Sequence, residues 1–330
     1  MEEAPHQILA SHEQEGCGKI ARYGADLYYG TSKGLYRLPS AGGAPERLFA
    51  GEVTDFLVDA LGIVVAQTTG GLSADGTSHG GVAVGRIARL TNGELNQLGP
   101  PLGRPRGLTA MGGSIYFVSE DYVGEDVLPS LGRMPRAGGD AATVFAGSRQ
   151  DRPLGGIVTD GATLYFSVWD GGLTAGYVVL AGSPSRNTIF RLAPGRSQPE
   201  VFAIDDLRGR SGDIGGLVLD GGSLYYRSDE HVYRRATSEK GLPLDEDGQW
   251  RVEELEGEQL GWSAGPFATR AGNLYWTQSG YTFLMDKAGK KSKTILGKTW
   301  HSVIMDDKRL YWVVDRNSAC SVETMPFVEP

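Results

Sequence analysis

The sequence predicts an all-β fold: a seven-bladed β-propeller closed by pairing its N-terminal strand with the last blade. Three observations predict it. A Leu-Tyr-aromatic phrase returns along the chain, glycine and strand-forming aromatics are abundant, and the N-terminus carries a spare strand where the C-terminus lacks one.

The phrase reads Asp26-Leu27-Tyr28-Tyr29, Ser114-Ile115-Tyr116-Phe117, Thr163-Leu164-Tyr165-Phe166, Ser223-Leu224-Tyr225-Tyr226, Asn273-Leu274-Tyr275-Trp276 and Arg309-Leu310-Tyr311-Trp312. A weaker copy, Gly62-Ile63-Val64-Val65, lies between the first two. The gaps run from roughly 36 to 60 residues, bracketing the length of a propeller blade. Each copy sits in a larger unit. An apolar strand ending in a turn precedes it, as in Gly156-Ile157-Val158-Thr159-Asp160-Gly161. A third strand resembling Gly34-Leu35-Tyr36-Arg37-Leu38 and a fourth resembling Pro45-Glu46-Arg47-Leu48-Phe49-Ala50 follow. Four short strands with turn chemistry between them make a blade. No 3.6-residue apolar periodicity competes with this reading.

The blades are placed at 17–51, 52–99, 104–147, 152–204, 213–257, 264–297 and 300–328, the last completed by 4–12, in one domain of 1–330. Ala4-Pro5-His6-Gln7-Ile8-Leu9-Ala10 copies Ala44-Pro45-Glu46-Arg47-Leu48-Phe49-Ala50. Sharing a blade between the two ends removes sheet edges that would invite aggregation.

Composition narrows function. The chain has 330 residues and a formal net charge of −8, with 40% apolar residues. Without a Lys/Arg cluster, nucleic acid is excluded as an expected partner. No apolar run reaches the ~18 residues that span a bilayer, so membrane insertion is not expected. No cofactor motif is present, and a monomer is expected.

The Tyr-Trp phrases at 275–276 and 311–312, with Leu35-Tyr36-Arg37-Leu38-Pro39-Ser40-Ala41-Gly42-Gly43-Ala44-Pro45 and Met134-Pro135-Arg136-Ala137-Gly138-Gly139, resemble bacterial propellers of the DUF5050 and YWTD-like kind. The resemblance covers nearly the whole chain as a blade consensus. It implies the fold and an exported protein, and it brings no catalytic motif with it.

Repeat position separates structure from function. Arg37, Arg89, Arg133, Arg191 and Arg234 recur in the third strand, and a residue repeated around a ring serves the ring, its aliphatic stem covering blade edges. Asp59, Asp160, Asp220 and Asp306 close the first-to-second strand turn, where Asp bonds its own backbone. Function is expected where the repeat breaks, on loops over a rigid scaffold. In a propeller the fourth-to-first and second-to-third strand loops share one face, around the channel mouth. The former carry Glu15 and Cys17, Thr54 and Asp55, Arg104 and Arg106, Arg152, Asp213, Trp262, and Trp300 with His301. The latter are long in blades two, three and four, at Gln67–Gly85, Glu120–Ser130 and Trp169–Arg186. The candidate ligand contacts are Asp55, Arg104, Arg106, Tyr122, Arg152, Trp169, Asp213, Trp262, Trp300 and His301.

Familiar chemistries are weak or missing. Gly30-Thr31-Ser32-Lys33-Gly34 and Gly261-Trp262-Ser263-Ala264-Gly265 match Gly-x-Ser-x-Gly but lack the strand-turn-helix context of a nucleophile elbow. Asp245-Glu246-Asp247-Gly248 lacks the remaining ligands of a calcium loop, and no zinc spacing occurs, so no metal is expected. His6, His12 and His79 read as surface residues, whereas His231 and His301 fall in mouth loops. Cys17 and Cys320 fall on the same face of one blade, either as a disulfide or as two buried thiols.

The leading expectation is a ligand-binding propeller that takes a small or peptide-like, zwitterionic or sugar-like ligand at the channel mouth. The alternative is a propeller-type lyase or hydrolase using His301 with Asp213 or Asp55 and the arginines. A third, a protein-interaction platform, would show a broad apolar patch. The expected location is periplasmic or secreted, since a disulfide implies an oxidising compartment and the chain begins almost where its first strand begins, as if a leader had been trimmed. A cytoplasmic location is the alternative.

Overall fold

In the computed structural model the described residues are 6–69, 84–123, 126–146, 151–170, 174–175, 178–179, 186–196, 198–206, 214–228, 231–241, 258–262, 267–270, 273–278, 281–285, 291–295, 301–306, 308–316 and 319–326. Among them the chain is all-β, and its fold is a seven-bladed β-propeller. Blade one comprises Cys17–Tyr23, Asp26–Thr31, Gly34–Pro39 and Glu46–Ala50. Blade two comprises Asp55–Asp59, Gly62–Thr69, Val84–Thr91 and Leu102–Gly103, with Glu94–Gln97 also pairing with the third. Blade three comprises Arg106–Met111, Ser114–Val123, Asp126–Pro135 and Ala142–Ala146. Blade four comprises Asp151–Thr159, Leu164–Asp170, Arg186–Leu192 and Glu200–Asp206. Blades five and six are Ile214–Asp220, Ser223–Ser228, His231–Ala236 and Glu258–Trp262, then Phe267–Arg270, Asn273–Gln278, Tyr281–Met285 and Lys291–Ile295.

Blade seven runs Ser302–Met305, Arg309–Arg316 and Ala319–Pro326, and the N-terminal Gln7–Glu13 is its fourth strand. The closing strand pairs antiparallel with the last one, Gln7 opposite Thr324 and His12 opposite Cys320, with one irregularity between Ile8 and Ala10. Its strand runs three residues past the Ala10 that the repeat suggested, because Ser11, His12 and Glu13 all find register partners. Residues 4 and 5 of the expected strand lie outside the described residues.

The strands belong to two compact units, one of Met1–Gln67, Ala88–Asn96 and Trp262–Pro330, the other of Thr68–Ile87 and Gln97–Gly261. In the first unit, Ile20, Leu27, Tyr29, Tyr36 and Leu38 of blade one are buried against Tyr311, Val313 and Val322 of blade seven and Ala10 of the closing strand. Trp312, Val314 and Met325 bury their other side with Ala268, Tyr275 and Leu284. In the second unit, Tyr165, Ile189, Phe202, Leu217, Leu224 and Tyr226 form one core cluster. The recurring phrase thus alternates its residues between the two faces of each blade, as the period of two requires.

In blades one, four, five and six the last aromatic of the phrase stacks on its register partner in the third strand. Tyr29 meets Tyr36, Phe166 meets Phe190, Tyr226 meets Tyr233 and Trp276 meets Phe283, with ring centroids 5.3 to 5.4 Å apart. Such cross-strand pairs fix register. Blade three replaces the partner with Gly132, and a Cβ there would fall 2.5 Å from the Phe117 ring, so the ring lies over bare backbone.

The repeated arginine sits opposite the repeated tyrosine: Arg37 faces Tyr28, Arg133 faces Tyr116, Arg191 faces Tyr165 and Arg234 faces Tyr225. In blades one and four it also reaches the fourth strand. Arg37 Nε donates to Glu46 at 3.0 Å and Arg191 Nε to Glu200 at 2.6 Å, each glutamate being the arginine's register partner. Arg191 further caps the Thr237 and Glu239 carbonyls and lies 4.9 Å from the Phe202 ring centroid. The repeated aspartates accept backbone N–H groups of their own turns: Leu61 to Asp59, Ala162 and Thr163 to Asp160, Lys308 and Arg309 to Asp306.

A glycine in the first strand recurs as Gly18, Gly107, Gly156 and Gly216, and strand register shifts beside each. Gly107 and Gly216 have φ of +63° and +67°, the left-handed conformation a bulge demands and glycine adopts freely. The long segment expected as a loop at Glu120–Ser130 is instead an extended hairpin, paired in unbroken register out to Val123 and Asp126. Strand-favouring Tyr122, Val123, Val127 and Leu128 account for the difference. Within Trp169–Arg186, Thr174–Ala175 and Val178–Val179 make a small hairpin of their own.

Candidate functional site

In the first unit blades seven and one are tied together covalently. Cys17, at the start of the first strand of blade one, and Cys320, near the start of the last strand, form a disulfide with Cα atoms 4.9 Å apart. This falls inside the range a disulfide needs and decides between the two readings of these cysteines. Cys320 is fully buried in the core shared by the two blades.

Beside the disulfide stands a pair of side chains with no copy among the described residues of the other blades. Asp315 is the next-to-last residue of the second strand of blade seven, directly opposite Cys320 in register. One of its carboxylate oxygens accepts the Cys17 backbone N–H at 3.0 Å. The other lies 2.8 Å from His301 Nε2. The His301 backbone N–H is itself held by the Val313 carbonyl at 2.9 Å. The side chains of His301 and Asp315 stay 48% and 43% exposed, so backbone bonds anchor the pair while solvent reaches it. Sequence reasoning singled out His301 but assigned it Asp213 or Asp55 as a partner. Asp315 was missed because it lies in strand order far from any loop that looked variable. The signal was its place next to Cys320 across a short second-to-third strand connection.

Asp55 is occupied differently. It is 7% exposed, and its Oδ1 accepts Lys19 Nζ at 2.9 Å and the Phe56 backbone N–H at 2.7 Å. Lys19 also donates to the Phe56 carbonyl and lies 5.7 Å from the Phe56 ring centroid, while 39% of its side chain remains exposed. Lysine, not aspartate, is therefore the exposed member of this pair.

Glu15 organises a third group. It accepts Thr31 Oγ1 at 2.6 Å and the Tyr36 hydroxyl at 3.4 Å. His12 Nε2 is 2.7 Å from the Tyr29 hydroxyl, and its ring lies 4.3 Å from that of Tyr36. Burial pushes the Tyr29 and Tyr36 hydroxyls up, with the Glu15 carboxylate adding to it. Burial, with Arg47 nearby, holds His12 below the usual histidine value against the pull of Glu15. These groups satisfy one another and fasten the closing strand to blade one. Ser32, in the first Gly-x-Ser-x-Gly, accepts the Gly16 N–H at 3.0 Å in a hairpin turn, which is a structural use.

The second unit holds most of the remaining candidates. Arg104 is half-buried with φ of +31°, an uncommon conformation for a side-chain-bearing residue. Arg106 opens the first strand of blade three opposite Val118. Arg152 and Trp169 are register partners in blade four, and Tyr122 pairs with Val127 in the blade-three hairpin. The side chains of Arg152, Trp169 and Tyr122 lie outside the described ones, as does that of Trp262, which ends a strand of blade five. Asp213, Trp300, His79, Ser263 and the Asp245–Gly248 turn also lie outside the described residues. Among the described residues no group of three or more His, Cys, Asp or Glu could hold a metal ion, and no helix is long and apolar enough to cross a membrane.

No protein-family model matches the chain, and no curated protein matches it. Solved structures do resemble it. The AfRom2 CNH domain is 9% identical with a TM-score of 0.59, over 98% of this chain and all of that one. BamB from Moraxella catarrhalis is 13% identical with a TM-score of 0.51, over 97% and 98% of the two chains. The β-propeller domain of the Trilobed protease from Pyrococcus furiosus is 11% identical with a TM-score of 0.51, over 94% and 93%. At these identities the likeness is one of fold. That last domain is described as having an open velcro topology, whereas here the N-terminal strand pairs with blade seven.

Proposed function

We propose that this protein is a ligand-binding propeller that takes a small or peptide-like ligand on its mouth-face loops. The observation that carries the reading is the His301–Asp315 pair. It is half-exposed, does not recur among the described residues of the other blades, and rests on backbone bonds and a disulfide, so its geometry is fixed before a ligand arrives. Lys19 adds an exposed cation in the same unit. Charges of both signs orient a ligand that carries both, since each wrong orientation sets like charges together. Arg104, Arg106, Tyr122, Arg152, Trp169 and Asp213 are proposed as contacts on the loops of the second unit, and Trp262 and Trp300 as flat contacts in the first.

Binding is favoured over catalysis because, among the described residues, the hydroxyls beside the pair serve the fold: Ser302 Oγ accepts the Ile20 N–H and Thr31 Oγ1 donates to Glu15. The disulfide supports a periplasmic or secreted location. The test is an NMR titration with glycylglycine as a plain zwitterionic probe. Saturable shifts of the His301 ring, with none at the Leu61 methyls in a first-to-second strand turn, are the expected result. Shifts at Leu61 with none at His301 would overturn the reading.

A further inference from the structure

Asp315 sets which ring nitrogen of His301 a ligand meets. A carboxylate only accepts hydrogen bonds, so a neutral imidazole beside it keeps its proton on the nitrogen that faces it. Here that nitrogen is Nε2, 2.8 Å from Asp315 Oδ2. The lone pair is then on Nδ1, and among the described residues His301 has Asp315 and the Val313 carbonyl as its hydrogen-bond partners. Asp315 in turn cannot swing away, because its second oxygen holds the Cys17 N–H and Cys17 is tied to Cys320. Resting on the binding reading above, we infer that Asp315 is a positioning residue which locks His301 as the Nε2–H tautomer, and that Nδ1 accepts a hydrogen bond from an ammonium group of the ligand.

The ligand chemistry follows from charge. A neutral imidazole hydrogen-bonded to a carboxylate is a unit of net charge −1 with an acceptor pointing outward. It attracts a cationic donor and repels a carboxylate. A free amino terminus fits that description, and an acylated one does not, having lost its charge. A fixed orienting partner behind a histidine is the arrangement by which proteins choose a tautomer.

The same geometry makes the asparagine variant informative. In Asp315→Asn the Cys17 N–H continues to need an acceptor, so it keeps the amide oxygen. The amide NH2 then faces His301 Nε2 as a donor, and the ring must move its proton to Nδ1. The experiment is nitrogen-15 NMR of the His301 ring at a pH where the ring is neutral, in the parent and in Asp315→Asn, with and without glycylglycine or N-acetylglycylglycine. The expected result is Nε2–H in the parent and Nδ1–H in the variant. Glycylglycine is expected to shift the parent ring and to bind Asp315→Asn at least tenfold more weakly, while N-acetylglycylglycine leaves both unmoved. The same tautomer in both proteins would overturn the positioning role. Equal binding of the acetylated and free probes would overturn the assignment of an ammonium group. An inverted tautomer with no response to glycylglycine in the parent would overturn the binding reading and keep the positioning role.

Discussion

Two aspartates stand at opposite ends of blade seven's second strand, and they are used in opposite ways. Asp306, just before that strand, is 5% exposed. It accepts the Lys308 and Arg309 N–H groups and the Tyr311 hydroxyl, and lies 3.4 Å from Arg22. Its equivalents Asp59 and Asp160 do the same for their own turns. Asp315, at the far end, is exposed, lies opposite Cys320, and serves a histidine that has no counterpart among the described residues of the other blades. One residue type, a few residues apart, does structural work where it obeys the repeat and faces solvent with a preset partner where it breaks it.

The comparison is sharpened first by removing a repeated element entire. Deleting residues 1–12 takes away the strand that pairs with Ala319–Pro326 and opens a sheet edge in blade seven. The deleted protein is expected to aggregate or to lose its cooperative melt, read by calorimetry and light scattering. Melting like the full chain would break the account of closure.

Next in size is the covalent tie. The disulfide joins residues separated by 303 positions, a long loop whose closure constrains the unfolded chain. Cys17→Ser with Cys320→Ser, or reduction of the parent, is expected to lower stability by about 2–5 kcal/mol. Denaturant unfolding with and without dithiothreitol reads this, and no change would contradict it.

Asp306→Asn comes third. Burial raises the Asp306 carboxyl, but the Lys308 and Arg309 amides, the Tyr311 hydroxyl and Arg22 outweigh it, so its pKa lies below the usual carboxylate value. A lowered folded pKa means that the unfolded chain binds the proton more tightly. The contribution is therefore complete above the ordinary value near 4 and is lost as pH falls through the folded one. The substitution is expected to cost about 2–3 kcal/mol at pH 7 and to flatten the parent's loss of stability below about pH 4. An undiminished acid step in the variant would put that step elsewhere.

The smallest effect belongs to Asp315→Asn. An exposed pair of side chains contributes little, about 0–1 kcal/mol, and asparagine keeps the Cys17 bond. Its melt is expected to match the parent's within about 0.5 kcal/mol. A loss as large as that of Asp306→Asn would make Asp315 structural and erase the contrast.

How much of this was legible in the sequence follows the same division. Repeated positions could be read because repetition encodes geometry: Leu27-Tyr28-Tyr29 and its copies, the Arg37 series and the Asp306 series each do the same job in several blades. The closing strand was legible because Gln7–Ala10 copies its equivalents. The pairing of Cys17 with Cys320 could be decided only once the fold set the start of blade one beside the last strand of blade seven. The His301 partner was not legible, since Asp315 lies in a strand and meets His301 through tertiary register. The Glu120–Ser130 hairpin was hidden for the opposite reason: Tyr122, Val123, Val127 and Leu128 favour strand, but an insertion relative to the other blades reads as a loop.

The most direct test of the central claim sets the two aspartates side by side. Asp306→Asn and Asp315→Asn are each melted and titrated with glycylglycine, followed at the His301 ring. The account predicts that Asp306→Asn melts lower and binds like the parent, whereas Asp315→Asn melts like the parent and binds at least tenfold more weakly. Binding lost in Asp306→Asn and kept in Asp315→Asn would contradict it.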